Sequence, residues 1–218
     1  MSDAAFHPAR VIDLGRREFA DTWSYQRELV VARQRDEIPD TLLLVEHPDV
    51  ITLGRGTHRE NLVAPGDIPV FEIERGGDVT YHGPGQLVGY PILLLRPDER
   101  DLHRYLRQME EGLIRALGEL GLPATRRAGW TGVWTPTEPS RKLASIGIAV
   151  KRWVTLHGFA LNVATDLSRF AAINPCGLEA TIMGSVRSCL GAATQVDETK
   201  DLVVRHLGTC LGRVFSPA

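Results

Sequence analysis

Arg75-Gly76-Gly77-Asp78-Val79-Thr80-Tyr81-His82-Gly83-Pro84-Gly85-Gln86-Leu87-Val88-Gly89-Tyr90-Pro91 is a stretch in which strand signals and glycine-rich turns meet with no helix between them. Residues 79–81 and 87–95 carry the β-branched, aromatic and apolar side chains of strands, and the glycines around them open backbone angles closed to other residues. Glycine in regular structure costs about 0.5–1 kcal/mol each. Such density therefore points to a loop that a ligand or another main chain approaches closely. A phosphate cradle fits poorly, because Gly83-Pro84-Gly85 runs on to Gly89 with one residue too many for GxGxxG, and no GK[ST] follows.

Outward from this stretch, residues 41–45, 50–53, 70–73, 132–134, 143–150 and 154–163 also read as strands. They come in runs joined by turns such as Arg75-Gly76-Gly77-Asp78 and do not alternate regularly with helices. That pattern argues an α+β fold with a mixed or antiparallel sheet and packed helices, against a doubly wound nucleotide fold. Leu102, Tyr105, Leu106, Met109, Leu113, Ala116, Leu117 and Leu120 recur at steps of three and four, with Gly121 and Pro123 as a stop. Leu202, Val203, His206, Leu207, Cys210, Leu211 and Val214 repeat the pattern behind Asp197 as N-cap. A weaker stripe of Phe19, Trp23, Leu29 and Val30 marks a helix over 19–33. With no internal repeat and no break in composition, the 218 residues read as one domain spanning 1–218.

The formal net charge of −2 gives no reason to expect nucleic acid or an anionic membrane as partner. The chain opens without a cationic segment followed by an apolar one, and no run approaches the roughly 18 apolar residues of a membrane helix. A cytoplasmic protein is expected. Three cysteines, Cys176, Cys189 and Cys210, are too few and too irregularly spaced for a disulfide framework or a zinc site. Cys210 falls in an apolar helical stripe and reads as a small buried hydrophobe.

Two further segments carry chemistry. In Arg141-Lys142-Leu143-Ala144-Ser145-Ile146-Gly147-Ile148-Ala149-Val150, strand alternation sets Lys142 on the face of Ala144, Ile146, Ile148 and Val150. Its stem can cover the core while the amine snorkels to water, the commoner outcome, or a desolvated amine can pair with something acidic. In Ile173-Asn174-Pro175-Cys176-Gly177 the thiol sits between proline and glycine on a turn. It is either a small residue filling that turn or a sulfur presented to a cleft, with neighbouring N–H groups near a developing oxyanion. A free thiol titrates near 8.5, and a nearby cation lowering that by about two units multiplies the thiolate at neutral pH some twentyfold. Lys142 is the best candidate for such a cation. His82 and His157 are rival bases, though each reads individually as a hydrogen-bonded structural histidine.

Together, Arg-Gly-Gly-x-Val-Thr-Tyr-His-Gly-Pro-Gly-Gln at 75–86, Lys-Leu-Ala-Ser-Ile-Gly at 142–147, His-Gly-Phe-Ala-Leu-Asn at 157–162 and Pro-Cys-Gly at 175–177 resemble the lipoyl(octanoyl) transferase family. The likeness runs from the Leu-Leu-Leu-Val-Glu-His-Pro segment near Leu42 through the cysteine, whereas 181–185 departs from the family's Val-Thr-Ser pattern. The resemblance implies a fold related to biotin- and lipoate-protein ligases. It implies Cys176 as the nucleophile that accepts octanoyl as a thioester, and Lys142 as its activator and proton shuttle. The acyl contacts it implies are Arg75, Gly76, Gly77, Asp78, Val79, Thr80, Tyr81 and His82, with Ser145, Ile146, Gly147, Gly158, Phe159 and Ala160. The implied donor is octanoyl-acyl carrier protein, and the implied acceptors are lipoyl domains of 2-oxoacid dehydrogenase E2 subunits and the glycine cleavage H protein. No metal and no cofactor are implied. Exchange between thioesters is nearly energy-neutral, so the chemistry needs no ATP. Burying six or seven methylenes supplies on the order of 5 kcal/mol toward chain-length selection. Rival readings are an ATP-dependent ligase on the same fold, a non-catalytic binder of lipoyl or biotinyl domains, and a cysteine hydrolase. A basic patch of Arg126, Arg127, Lys151 and Arg152 is the expected docking site for an acidic carrier.

Overall fold

A computed structural model describes residues 6–191 and 194–218, with the side chain of Cys176 outside the described set. In chain order the elements are β1 (His7–Arg16), α1 (Phe19–Gln34), β2 (Asp40–Glu46), β3 (Val50–Leu53), β4 (Val70–Glu72), β5 (Thr80–His82), β6 (Gln86–Ile92) and α2 (Leu102–Glu119). There follow β7 (Thr125–Arg127), β8 (Trp130–Trp134), β9 (Lys142–Lys151), β10 (Val154–Asn162), α3 (Val186–Leu190), α4 (Val196–Leu211) and β11 (Arg213–Pro217). Among the described residues, eight strands form one sheet in the order β11-β1-β2-β6-β10-β9-β8-β7, and three form a smaller one, β4-β3-β5. β1 runs parallel to β2 and β11 while the other pairings of the large sheet are antiparallel, so the sheet is mixed.

β6 and β10 are buried at every residue, because they lie mid-sheet with cover on both faces. This is why their sequences are largely apolar, the exceptions Gln86, Thr155, His157 and Asn162 being buried as well. On one face the stripes of α2 and α4, Met109, Leu113, Leu117, Val203 and Leu207 among them, pack over Leu42, Leu44, Leu87, Phe159 and Leu161. On the other, Leu29 and Val30 of α1 cover Leu43, Val45, Val88 and Leu156. Successive residues of β2 thus serve opposite cores, as a period of two requires. The small sheet builds a third core from Ile51, Val79, Tyr81, Phe170 and Ile173.

Three strands, the short helix α3 and both ends of the last helix differ from the sequence expectation. β1, β7 and β11 lie at or next to the edges of the large sheet and carry charged or exposed residues, so the apolar runs that mark the inner strands are missing from them. The last helix stops at Leu211 because Gly212 adopts φ +66°, and Val214 belongs to β11, 53% exposed. Its N-cap is Gln195, with Asp197 in the first turn, where a negative charge suits the helix dipole. No described helix is long and apolar enough to cross a membrane.

Candidate active site

A cavity of about 460 Å³ opens between the glycine-rich loop and strands β9 and β10, within the roughly 300–1,000 Å³ of small-molecule sites. The loop is pinned from both sides. Arg75 is buried and donates from Nη2 to the Thr52 carbonyl (2.8 Å) and hydroxyl (3.0 Å). Gly76 N donates to Ile148 O at 2.8 Å, and Gly56 N to Gly77 O at 3.0 Å. The approach is so close that a Cβ on Gly54 would sit 2.3 Å from Gly77 O, and one on Gly147 would sit 3.0 Å from Gly76 O. Main chain packed on main chain is what the glycine density of this stretch provides.

The cavity wall includes Arg75, Gly76, Gly77, Asp78, Val79, Thr80 and His82 from the loop and β5. Ser145, Ile146, Gly147 and Ile148 of β9 face it, as do His157, Gly158, Phe159 and Ala160 of β10. Tyr81 is the exception to the expected set of acyl contacts. Alternation along β5 sends it away from the cavity, where its hydroxyl donates to Asp49 Oδ1 (2.7 Å) and its ring packs on Phe170 (5.2 Å between centroids).

Lys142 borders the cavity from the start of β9 and is only 3% exposed. The snorkelling expectation is thereby corrected, since the amine stays inside with Nζ 5.5 Å from the centre of the Trp134 ring. Its main chain is held by the divergent 181–185 stretch: Met183 bridges to Lys142, and Gly184 N donates to Lys142 O at 3.0 Å. Asn162 Nδ2 in turn donates to Gly184 O. That stretch therefore supports the backbone of the lysine directly.

Cys176 lies in a 3₁₀ turn, Pro175–Gly177, and Pro175 borders the same cavity as Lys142. The turn is anchored through Asn61. Asn174 N donates to Asn61 O (2.8 Å), while Asn61 Nδ2 donates to Asp78 Oδ2 (2.6 Å), and Asp78 Oδ1 accepts from Val79 N. One asparagine thus ties the cysteine turn to the glycine-rich loop. Nothing in the polar run around residue 61 marks it in the sequence.

Ile148 pairs with His157 six residues along β9 from Lys142, about 20 Å at roughly 3.3 Å per residue. This far end is closed by Phe19, Ile73, Tyr90 and His157. His157 has φ +59°. A regular strand would point it with Phe159 and Leu161 toward α2 and α4, but the left-handed residue turns its ring to the α1 face, 6.5 Å from Tyr90. Gln26 Oε1 accepts its main-chain N–H. Burial lowers the His157 pKa, opposed by Glu74, whose Oε2 lies 3.4 Å from Nε2. Burial also pushes His82 down to about 3, its Nδ1–H donating to Gln86 Oε1, and His47 down to about 4. These imidazoles are neutral at physiological pH. His82 and His157 border the cavity as uncharged rings suited to an apolar chain, and His47 stands next to His82 with 6.0 Å between ring centroids. At such depressed values His82 and His47 are poor general bases.

The expected basic patch is largely engaged within the chain. Arg126 pairs with Glu110 and Glu111, Arg127 lies over the rings of Trp130 and Trp134, and Lys151 pairs with Glu74. Cys210 is half-buried on α4 and Cys189 is exposed. Among the described residues, no three His, Cys, Asp or Glu side chains converge as a metal site requires.

Residues 18–208 match the family model of the lipoyl protein ligase A/B catalytic domain. The octanoyltransferase of Geobacter metallireducens is 50% identical over 188 residues, 86% of each chain. That of Syntrophotalea carbinolica is 49% identical over 199 residues, 91% of this chain and 92% of its own. Among solved structures, lipoate-protein ligase A bound with ATP superposes with a TM-score of 0.75 at 17% identity, covering 98% of this chain and 88% of that one. Biotin protein ligase from Aquifex aeolicus gives 0.53 at 13% identity, covering 94% and 69%. At these identities the two ligases share the fold alone. The identity to the transferases is of another order, and the chain belongs to the octanoyltransferase family, acyltransferases built on the lipoyl protein ligase A/B catalytic domain.

Proposed function

We propose that this chain moves an octanoyl group from the thioester of octanoyl-acyl carrier protein to a lysine of lipoyl domains, with Cys176 as the acyl carrier in between and Lys142 as its activator. The acceptors are lipoyl domains of 2-oxoacid dehydrogenase E2 subunits and the glycine cleavage H protein. Residues 1–218 act as one cytoplasmic catalytic domain. The supporting observation is a buried lysine and the residue before Cys176 bordering one largely apolar cavity. An eight-carbon chain, at about 1.25 Å per bond along its axis, needs roughly 9 Å. The cavity's run along β9 exceeds that.

The reaction balances without another reactant. The Cys176 thiolate, stabilised by the Lys142 ammonium, attacks the carrier thioester carbonyl. The carbon–sulfur bond to the carrier then breaks, and the carrier thiolate leaves with the proton of Lys142. The neutral amine so formed takes a proton from the acceptor lysine as that nitrogen attacks the acyl-enzyme. Cleavage of the second carbon–sulfur bond leaves an amide and restores thiolate and ammonium.

The test is intact-protein mass spectrometry after brief incubation with octanoyl-acyl carrier protein and no ATP, on the parent, Cys176→Ala and Lys142→Ala. One octanoyl adduct on the parent, none on Cys176→Ala and slow formation on Lys142→Ala is the expected result. No adduct and no transfer to an added lipoyl domain would overturn the proposal in favour of a nucleotide-dependent ligase or a binding protein.

The far wall is expected to set chain length. Phe19→Ala vacates a ring there, and at about 0.8 kcal/mol per buried methylene, two more methylenes shift the decanoyl-to-octanoyl ratio of kcat/KM about tenfold. Competition between the two acyl carriers, read by product mass, measures that ratio. An unchanged value would mean that the acyl terminus does not reach Phe19.

A further inference from the structure

We infer that Glu110 on α2 is a positioning residue for Lys142, acting through Gly132; this rests on the cysteine–lysine reading above. The Glu110 side chain is fully buried. Its Oε1 accepts from Gly132 N at 3.0 Å, and its Oε2 takes Arg107 Nη1 at 2.6 Å and Arg126 Nε at 3.1 Å. Arg126 is fixed in turn by Arg107 O and Glu111. A carboxylate is kept inside a protein only when its charge and lone pairs are met this fully.

What Glu110 holds is the surface on which the lysine lies. Gly132 has φ +129°, and a Cβ there would fall 2.4 Å from Ala144 O and 3.0 Å from Lys142 Cε. The stem of Lys142 therefore rests against the bare main chain of Gly132. The β8–β9 register shifts between Val133 and Trp134, so the ladder is interrupted beside this glycine. Glu110 supplies the partner for its N–H. Two residues on, Trp134 pairs with Lys142 across the strands and sets its ring beneath the amine. Releasing Gly132 thus loosens one side of the channel that aims Nζ.

The experiment is alkylation of Cys176 by iodoacetamide as a function of pH, in a parent carrying Cys189→Ser and Cys210→Ser. Lys142→Ala is expected to raise the midpoint by about two units, to the ordinary thiol value near 8.5. Glu110→Ala and Glu110→Met are expected to raise it by about one unit, a roughly tenfold slower reaction well below the midpoint. Arg107→Ala keeps the Glu110–Gly132 bond and is expected to lower the melting temperature without moving the midpoint. Either Glu110 variant is scored alone if the other fails to fold. A parental midpoint in the Glu110 variants, with Lys142→Ala shifted, would overturn the inference. So would an equal shift in Arg107→Ala, which would mark general loosening. An unshifted Lys142→Ala would instead remove the cysteine–lysine reading on which it stands.

Discussion

Lys142→Met is expected to slow octanoyl adduct formation at pH 7 by about 10²–10³-fold, within the range for loss of a positioned proton-transfer group, while leaving the fold intact. Methionine reproduces the length of the stem against Gly132 and meets Trp134 with a thioether. Keeping the apolar volume of the stem in place preserves the packing around it. The diagnostic lies in the pH dependence. Without the ammonium the thiol ionises unaided, so the variant rate should climb about tenfold per unit up to the ordinary thiol value near 8.5. The parent should already be level at neutrality. Rapid-quench mass spectrometry from pH 6 to 9 measures both profiles, and parallel curves would show that the lysine has no part in activating the thiol.

Asp40→Ala is expected to lower stability by about 3–5 kcal/mol, since it removes one partner of a buried ion pair and leaves the other charged. Asp40 Oδ2 accepts from Arg213 Nε at 2.6 Å, and its Oδ1 accepts from Arg33 Nε and from Leu94 N. Arg213 is almost wholly enclosed and also holds Glu99 at 2.5 Å. One carboxylate thus joins β2, α1, β11 and the segment after β6. For a chain of this size, the loss corresponds to a fall in Tm of about 10 °C. Glu99 adds a pH signature. Burial raises its pKa, but the hydrogen bond from Arg213 and its positive charge outweigh that and hold it below the ordinary value. Its contribution is therefore complete above the unfolded value near 4.3 and is lost as pH falls through the folded one. Thermal melts from pH 3 to 7 should show an acid limb that is shallower in Glu99→Gln.

Whatever depends on neighbours in the chain can be read from the residues directly. The steps of three and four from Leu102 onward define α2 because a helix must turn one face inward, and the alternation of 143–150 defines β9 for the same reason with a period of two. The motif segments 75–82, 145–147 and 158–160 were legible as candidate contacts, and all of their residues except Tyr81 border the cavity. The tertiary structure alone decided where charge goes. Lys142 keeps its amine inside beside Trp134, with its stem against Gly132. That Gly132 is held follows from Glu110, 22 residues earlier. The anchoring of the cysteine turn by Asn61, the left-handed His157, the edge strands β7 and β11 and their neighbour β1 likewise left no local signal. The reason is physical. Apolar periodicity is written along the chain because every turn of a helix or pleat of a strand must bury the same face. The free energy of a buried charge or a strained residue depends on partners that only the fold brings within hydrogen-bonding distance.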